Sequence, residues 1–594
     1  MANKYFDLKT LNFLLFDVHN VTSLAVLPYF KDHSKETFEM ILASAIAIAD
    51  KLMYPNLDAV DKNQAELVDG KVIVHPIIKE YLKAVGEAGL ISADFDYDHG
   101  GAQLPFCVGT ATSYILMAAN NGMMFTGLTS GAARLIASFG TSALKDTYLE
   151  KMLNGQWQGT MCLTEPQAGS SLSDIVCMAE PLSEGIYKIK GQKIFISCGD
   201  HEASENIIHL LIARKKGASL GTKGISLFVV PKFLPDGSKN DITNVGIYHK
   251  LGQRGVPAMH LEFGDQCIGY LVGEENKGLS YMFQMMNEAR IGVGATGLAI
   301  SSAAYESALQ YCKERPQSRR LGKKSELGAP QISIIEHPDV RRMLFSQKAA
   351  VEASLSLVLL TAKYYDLAHH SQTLEEKEKY TLLLELLTPV AKTYPCEAGL
   401  KVTSEALQCF GGYGFTQDFP AEQYYRDIRI TTIYEGTTGI QSLDLLGRKV
   451  TLGNGEAMAL LSNEIINCIS EASKYSELQE YAGILANELK TINKVTKHLL
   501  AIAQIGDTER YLSDANLYME LFSNTIAAWQ WLDIGLNAFV SFQNNTIEKD
   551  FYISKIQTLK YYFHYEVPKT LGLSHRLLDE EVITILGETD FFDV

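Results

Sequence analysis

The sequence has few of the features that would place a protein in a membrane, outside the cell or on a metal. No apolar run approaches 18 residues, and the N-terminus MANKYFDLKTLNFLLFDVHN carries acids and lacks the apolar stretch of a signal peptide. The nine cysteines are scattered from Cys107 to Cys468 with no CxxC pair, which argues against a disulfide framework and against a zinc site. These absences predict a cytoplasmic protein with reduced thiols, no bound metal and no membrane span.

Positive charge is also scarce. The chain has 53 Lys and Arg against 69 Asp and Glu, a formal net charge of -16. Nucleic-acid backbones are bound by Lys/Arg patches, so no nucleic-acid partner is expected. An anionic ligand such as a dinucleotide or coenzyme A would need local basic residues. The densest basic stretch is KERPQSRRLGKK (313–324), which suits either a solvated face or pairing with phosphates.

The 594 residues exceed one hydrophobic core, and the residue pattern changes twice along the chain. Helical periodicity, with Ser34 as a candidate N-cap, gives way to short apolar runs separated by turns, and then returns. This order predicts an α+β, mostly helical protein with a central antiparallel β barrel or sandwich. The predicted parts are an N-terminal extension (1–34), an N-terminal helical domain (35–157), a β domain (158–275), a C-terminal helix bundle (276–450) and an additional helical domain (451–594).

Two glycine-containing segments have residues suited to a large cofactor. MCLTEPQAGSSLSD (161–174) enters a Gly/Ser/Pro turn whose N–H groups and hydroxyls can bind a heterocycle edge or a phosphate, although composition alone favours an ordinary β-turn. QCFGGYGF (408–415) has paired glycines that suit either close approach to a pyrophosphate or a helix C-cap. Neither is a GxGxxG after a strand, so a nicotinamide-binding Rossmann unit is not supported.

One carboxylate stands out in a third segment. IYEGTTGIQ (433–441) places Glu435 between an apolar dipeptide and small or polar residues. Arg426, Asp427 and Arg429 precede it, so a salt-bridged turn is one interpretation. An acid with an apolar flank is also a candidate for a raised pKa and for work as a general base.

In this order, MCLTEPQAGSS and QCFGGYGF…AEQYYRDIRITTIYEGTTGIQ resemble the two sequence signatures of the acyl-CoA dehydrogenases, over residues 35–450. The resemblance implies non-covalent FAD, an acyl-CoA substrate and, as acceptor, an electron-transfer flavoprotein. It implies removal of the alpha proton and transfer of the beta hydride to flavin N5, giving trans-2-enoyl-CoA in fatty acid β-oxidation. The cofactor-binding residues it implies are Met161, Leu163, Thr164, Ser170, Phe195, Ser197, Arg315, Gln408, Gly411, Gly412, Thr437 and Gly439. The substrate-binding residues it implies are Ser170, Ser171, Asn287, Arg290 and Gly436.

Glu435 matches the catalytic base of the family. A subset of members carries its base on a helix, immediately before an Arg. Here Arg290 is the equivalent Arg in NEARIGVG, and Ala289 precedes it. That arrangement is absent, although Glu288, one residue further back, stays open as an alternative base.

Several departures point to a subgroup. Ser171 replaces the Asp of AGSD, GGAQLP replaces GGxGLP, and Phe195 and Ser197 stand where many members have Trp and Thr. The long segment RPQSRRLGKKSELGAPQISIIEHPDVRRML and the tail beyond 450 resemble the large bacterial members with an extra C-terminal helical domain. These tend to be homodimers and include enzymes for long-chain acyl-CoA and for methylthio-propionyl-CoA, so chain length stays open. No catalytic side chain is expected in the tail.

Three alternatives remain at this point. An acyl-CoA oxidase would pass the electrons to oxygen, which the sequence does not decide. A DNA-associated flavoprotein of the same fold would need a basic groove, which the net charge disfavours. A non-catalytic scaffold would not need Glu435 in its motif.

Overall fold

The computed structural model describes residues 4–322, 330–544 and 547–585, with the backbone but not the side chains of 283–286. The chain divides into two compact units. The β-containing unit is Pro28–Gly292, and the bundle unit combines Met1–Leu27 with Val293–Val594. Lys323 and Lys324, at the end of the predicted basic stretch, lie outside the described residues.

The β-containing unit begins with helices that pack around an apolar core. The first of them, α2, starts where the sequence predicts: Ser34 is its N-cap, and Ser34 and Thr37 form a reciprocal capping box. The helices of the N-terminal half of the chain are α1 (Leu8–Asn12), which belongs to the bundle unit, then α2 (Lys35–Ile48), α3 (Leu57–Lys62), α4 (Ile77–Glu87), α5 (Phe106–Ala119), α6 (Thr126–Phe139) and α7 (Ser142–Leu153).

A hairpin interrupts this region, for which the residue pattern predicts only helices. Strands β1 (Glu66–Val68) and β2 (Lys71–Ile73) pair antiparallel. Asp69 (φ +51°) and Gly70 (φ +76°) form the two-residue turn between them. The Asp-Gly pair is a strong hairpin signal, because both central residues of such a turn need positive φ.

The β domain is a single eight-stranded sheet that folds back on itself. Its strands are β3 (Trp157–Cys162), β4 (Met178–Ser183), β5 (Ile186–Ser197), β6 (Asn206–Lys215), β7 (Ile225–Pro231), β8 (Ile242–Ile247), β9 (Ala258–Phe263) and β10 (Ile268–Val272). Because β10 pairs with both β7 and β5, the ring β10-β7-β6-β4-β5 closes, as the predicted barrel requires. The prediction of an all-antiparallel sheet is not met throughout, since β6 pairs parallel with β3 and β4.

The bundle unit is helical throughout its named elements. Helix α8 (Gly278–Glu314) leaves the β-containing unit and enters the bundle, starting at the predicted position. The others are α9 (Pro338–His370), α10 (Leu374–Phe410), α11 (Ala421–Ile428), α12 (Thr438–Gly447), α13 (Glu456–Ala472), α14 (Gln479–Gln504), α15 (Thr508–Leu512), α16 (Ala515–Asn544), α17 (Lys549–Tyr561) and α18 (Thr570–Leu577).

Helix α9 is the one helix within the described residues that is long and apolar enough to cross a membrane. Its most apolar 18-residue window has a mean hydropathy of 1.3, and 78% of that window is buried inside the structure. A core helix of a helical bundle has the same properties. The absence of a membrane span therefore stays a prediction.

The helices beyond residue 455 dock on the bundle. Trp531 Nε1 donates to the Ala349 carbonyl of α9 at 2.9 Å. Lys555, on α17, forms a buried ion pair with Glu352 of α9 at 2.9 Å and also donates to Thr10 Oγ1 at 2.6 Å. The predicted additional domain is thus held to both α9 and the N-terminal segment within this unit.

Candidate active site

The segment that follows β3 is shaped by a buried ion pair. Lys193 Nζ, on β5, donates to Glu165 Oε1 at 2.8 Å and to the Leu163 carbonyl at 2.9 Å. Both side chains are almost wholly buried, at 0% exposed for Lys193 and 1% for Glu165. The Glu165 carboxylate also accepts from the main-chain N–H of Val176 and Cys177, at 2.7 and 3.1 Å. The loop is therefore fixed to the barrel at a residue inside the TEP sequence.

The charge balance of this pair favours the ionised carboxylate. Burial alone would raise the pKa of Glu165, but the Lys193 ammonium and the donated hydrogen bonds outweigh it, and the net pKa lies below its usual value. A carboxylate held in this way is a stable anion. Glu165 is therefore a structural group and a poor candidate for a base.

The predicted flavin-contacting residues of this unit lie on two segments, the end of β3 with the loop that follows it, and the second half of β5. Ile194 N donates to the Thr164 carbonyl at 3.0 Å, which brings Thr164 beside the end of β5. Met161 and Leu163 are half-buried, whereas Ser170 and Ser171 are exposed. The start of the loop that leaves β3 therefore lies beside the second half of β5, the strand that carries Phe195 and Ser197.

Phe195 is held out of the barrel by a β-bulge. The register between β5 and β9 shifts between Lys193 and Ile196, and Phe195 has φ +57°. Its ring is 58% exposed and lies 4.4 Å from the ring of Tyr248. An exposed aromatic residue with a positive φ is unusual, and backbone strain of this kind concentrates at functional sites. Ser197, two residues on, pairs with Ala258.

The alternative base is engaged elsewhere. Glu288 Oε2 lies 2.6 Å from Arg134 Nε, and Arg134 Nη2 lies 2.6 Å from Asp94 Oδ2. The Arg134 guanidinium also stacks on the Phe95 ring, 4.6 Å from its centroid. A carboxylate paired with a guanidinium is a weaker base. Beside it on α8, Asn287 is half-buried and Arg290 is buried.

In the bundle unit, the predicted pyrophosphate-contacting residues meet at the end of α10. Gly411 ends this helix with φ +59°, so the C-cap interpretation of its glycine is correct. Gly411 and Gly412 are exposed, and a Cβ built at either position has no atom within 4 Å. Arg315 is exposed and lies over the Tyr413 ring, 6.0 Å from its centroid. An open glycine surface beside an arginine suits a phosphate group.

Glu435 lies on a strained turn between a 3₁₀ helix (Arg429–Thr432) and α12. Its φ is +52°, a left-handed conformation that glycine favours and glutamate rarely adopts. The residue is exposed, and Gly436 follows with φ +89°. Thr437 then caps α12, its Oγ1 accepting from Ile440 N at 3.2 Å. The turn therefore presents a carboxylate beside residues too small to cover it.

Sequence reasoning misses one residue of this turn. Gln441 is fully buried, and its Nε2 donates to the Glu435 carbonyl at 3.1 Å. The residue ends the IYEGTTGIQ segment, so the signal was a polar side chain at an inward position of a short helix. Gly439, predicted to contact the cofactor, lies on the same helix near Asn516 of α16.

Four family models match consecutive parts of the chain. They are described as the N-terminal domain (35–156), the middle domain (160–266) and the C-terminal domain (276–450) of acyl-CoA dehydrogenase, and as acetyl-CoA dehydrogenase C-terminal like (461–584). A butyryl-CoA dehydrogenase of Syntrophomonas wolfei is 31% identical over 96% of this chain and 96% of its own length. The chain belongs to the acyl-CoA dehydrogenase family. It is an oxidoreductase, as the sequence predicts.

One further sequence relative and one solved structure are also similar to this chain. A 3-methylmercaptopropionyl-CoA dehydrogenase of Ruegeria pomeroyi is 39% identical over 81% of this chain and 82% of its own length. The crystal structure of an acyl-CoA dehydrogenase complexed with FAD from Bacillus anthracis has a TM-score of 0.74. It is 20% identical and covers 95% of this chain and 91% of its own, which shows a shared fold. The predicted mostly helical architecture with a central β domain is confirmed.

Acyl-CoA dehydrogenases are FAD-dependent and act on acyl-CoA, so the cofactor of this chain is FAD and its substrate is an acyl-CoA. The residues present fit a flavin dinucleotide. The exposed Phe195 ring suits an aromatic ring system, and the open glycines beside Arg315 suit its phosphates.

Proposed function

We propose that Glu435 is the base that removes the alpha proton of an acyl-CoA, and that the product is a trans-2-enoyl-CoA. The observation that carries this proposal is that Glu435 is exposed on a left-handed turn and is followed by small residues. Strain of this kind costs about 1–3 kcal/mol and persists where the surrounding structure holds it, often at functional sites. The ion pairs of Glu165 with Lys193 and of Glu288 with Arg134 make each of those two carboxylates a weaker base.

The chemistry follows from the substrate. A thioester makes its alpha proton only weakly acidic, and a glutamate with a pKa of about 4.3 in water is a weak base. Burial beneath a bound acyl chain would strengthen that base, and hydrogen bonds to the thioester carbonyl would acidify the proton. The main-chain N–H of Glu435 is our candidate donor to that carbonyl. FAD, when bound, supplies the acceptor for the hydride that leaves the beta carbon.

Several residues would hold the two ligands. In this proposal, the loop from Met161 to Ser170, with Phe195 and Ser197, contacts the flavin ring. Arg315, Gln408, Gly411 and Gly412 contact a pyrophosphate, that of the neighbouring subunit in a homodimer, while Thr437 and Gly439 lie near the adenine side. The substrate contacts proposed are Ser170, Ser171, Asn287, Arg290 and Gly436.

The experiment that tests this assignment compares the wild type with Glu435→Gln under anaerobic conditions. The variant keeps the size and removes the base, so flavin reduction by acyl-CoA should slow by about 10²–10⁴-fold. FAD content and acyl-CoA binding should stay unchanged. A reduction rate near that of the wild type would overturn the assignment.

The substrate class can be found in the same assay. An acyl-CoA series from four to eighteen carbons, with 3-methylmercaptopropionyl-CoA added, would bleach the yellow protein at rates that rank the substrates. The two relatives named for butyryl-CoA and 3-methylmercaptopropionyl-CoA favour a short acyl chain. A further part of our proposal is a cytoplasmic homodimer in fatty acid β-oxidation that passes electrons to an electron-transfer flavoprotein. Rapid reoxidation of the reduced protein in air-saturated buffer would instead indicate an oxidase.

A further inference from the structure

The side chain of Gln441 contacts the Glu435 turn from the interior of the unit. Gln441 Nε2 donates to the Glu435 carbonyl at 3.1 Å, and Gln441 is 0% exposed. This contact is made to the main chain of Glu435 and not to its carboxylate. A change in φ of Glu435 that moves this carbonyl also moves its Cβ, and with it the carboxylate.

The geometry of the turn requires this close approach. Glu435 has φ +52° and Gly436 has φ +89°. A Cβ built on Gly436 would lie 2.6 Å from Gln441 Nε2, so a side chain at this position would displace the amide from its present place. A non-glycine residue in the left-handed region returns to a commoner conformation unless a contact opposes it. The amide of Gln441 is such a contact.

Gln441 itself lies on a fixed element. Thr437 caps the first turn of α12, and Thr438 Oγ1 donates to the Glu397 carboxylate on α10. The hydrogen bond to Glu435 therefore runs from an anchored helix to the turn that precedes it. A donor whose own position is fixed restricts its acceptor more than a mobile one does.

The other half of the amide has no comparable contact. Gln441 Oε1 is buried without a hydrogen-bond partner within the described residues. A buried acceptor without a partner is destabilising, and a methionine of similar volume would fill the space without that cost. Packing alone therefore does not explain why an amide side chain occupies this position. The hydrogen bond that its Nε2 donates to the Glu435 carbonyl does explain it.

We propose that Gln441 is a positioning residue that holds the Glu435 main chain in its left-handed conformation and so aims the carboxylate. The inference rests on the proposed role of Glu435 as base. Loss of the donor should leave the base present but misaligned. Because small misplacements cost up to about 10²-fold in rate, we expect flavin reduction to slow by about 10- to 100-fold.

The test compares Gln441→Met with Gln530→Met and Glu435→Gln. Gln530 is a matched control, because it is another fully buried glutamine of the same unit with one amide atom, Nε2, that has no hydrogen-bond partner in the described part of the chain. Its Oε1 accepts from Ser356 Oγ. Anaerobic reduction rates, substrate KM, FAD content and thermal midpoints are measured for each. A purely structural role for Gln441 would lower the thermal midpoint or the FAD content.

The expected result is a Gln441→Met protein with full FAD, an unchanged or raised thermal midpoint and a reduction rate 10- to 100-fold lower. Gln530→Met should reduce at the wild-type rate. If Glu435→Gln is inactive while Gln441→Met reduces normally, Gln441 has no positioning role and the base assignment stands. If Glu435→Gln reduces normally, the proposed base falls and the role of Gln441 falls with it.

A second variant addresses the donor directly. Gln441→Glu keeps the size but carries a donor only when its carboxyl is protonated. Its reduction rate relative to that of Gln441→Met should therefore rise as the pH falls. A ratio that stays constant with pH would overturn the hydrogen bond as the origin of the effect.

Discussion

Two glutamates from the two motifs of this chain have opposite surroundings. Glu165, in MCLTEPQAGSS, is buried against Lys193 and accepts main-chain hydrogen bonds. Glu435, in IYEGTTGIQ, is exposed, has φ +52°, and is contacted through its main chain by Gln441. In the first case the carboxylate fixes the loop to the barrel. In the second the main chain is contacted from the interior by Gln441 and the residue itself is exposed.

The difference shows why residue type alone does not assign a role. Both acids lie in the motifs that carry the family resemblance, yet only Glu435 matches the catalytic base and the two have different contacts. Lys193 lies 28 residues from Glu165 and reaches it because β5 returns beside the segment that follows β3. The decisive contacts are therefore tertiary, and a pairing of this kind has no local signal.

Removing the cation that pairs with Glu165 should have the largest effect on the free energy of unfolding. Lys193→Met leaves the Glu165 carboxylate buried without its cation, which typically costs about 3–5 kcal/mol. The free energy of unfolding from urea titration should fall by that amount, with loss of FAD retention because the loop is released. Glu435→Gln is the control, since its exposed side chain should leave stability unchanged. A Lys193→Met protein of wild-type stability would contradict the anchoring role.

Acid should weaken the same pair. The pKa of Glu165 in the folded protein is below its value in the unfolded chain, so the unfolded state binds the proton more tightly. The carboxylate therefore contributes stability at neutral pH, and that contribution is lost as the pH falls below about 4.3 toward the folded pKa. The stability advantage of the wild type over Glu165→Gln, measured by urea titration, should shrink over that range. An advantage that grows in acid would contradict the ion pair.

Much of the fold and part of the site can be predicted from the sequence. Ser34 caps the helix that follows it, and α8 begins at Gly278, because capping and periodicity are local. The hairpin at Asp69–Gly70 is missed because its two strands have three residues each, too few for an alternating pattern. The parallel pairing of β3 with β6 depends on which strands distant in sequence lie side by side, and the local residue pattern does not predict that.

Helix α12, which follows the Glu435 turn, accepts a hydrogen bond from Tyr511 that can be removed without changing the turn itself. Tyr511, on α15, is buried and donates its hydroxyl to the Leu446 carbonyl near the end of α12. The last carbonyls of a helix have no partner within it, so this donor satisfies one of them. Tyr511→Phe should lower the free energy of unfolding by about 1 kcal/mol and slow flavin reduction slightly. Tyr565→Phe, at an exposed tyrosine of the same domain, should change neither.

The smallest effect is expected from the third glutamate, Glu288, and it sharpens the contrast most. Glu288 lies on α8 and pairs with Arg134, which also binds Asp94. Glu288→Gln removes a charge but leaves Arg134 with Asp94, so stability should fall by less than about 1 kcal/mol. Anaerobic flavin reduction should keep the wild-type rate, because a carboxylate held by a guanidinium takes no part in proton removal. If reduction instead slows as severely as in Glu435→Gln, both carboxylates act on the proton and the separation between anchored and reactive glutamates fails.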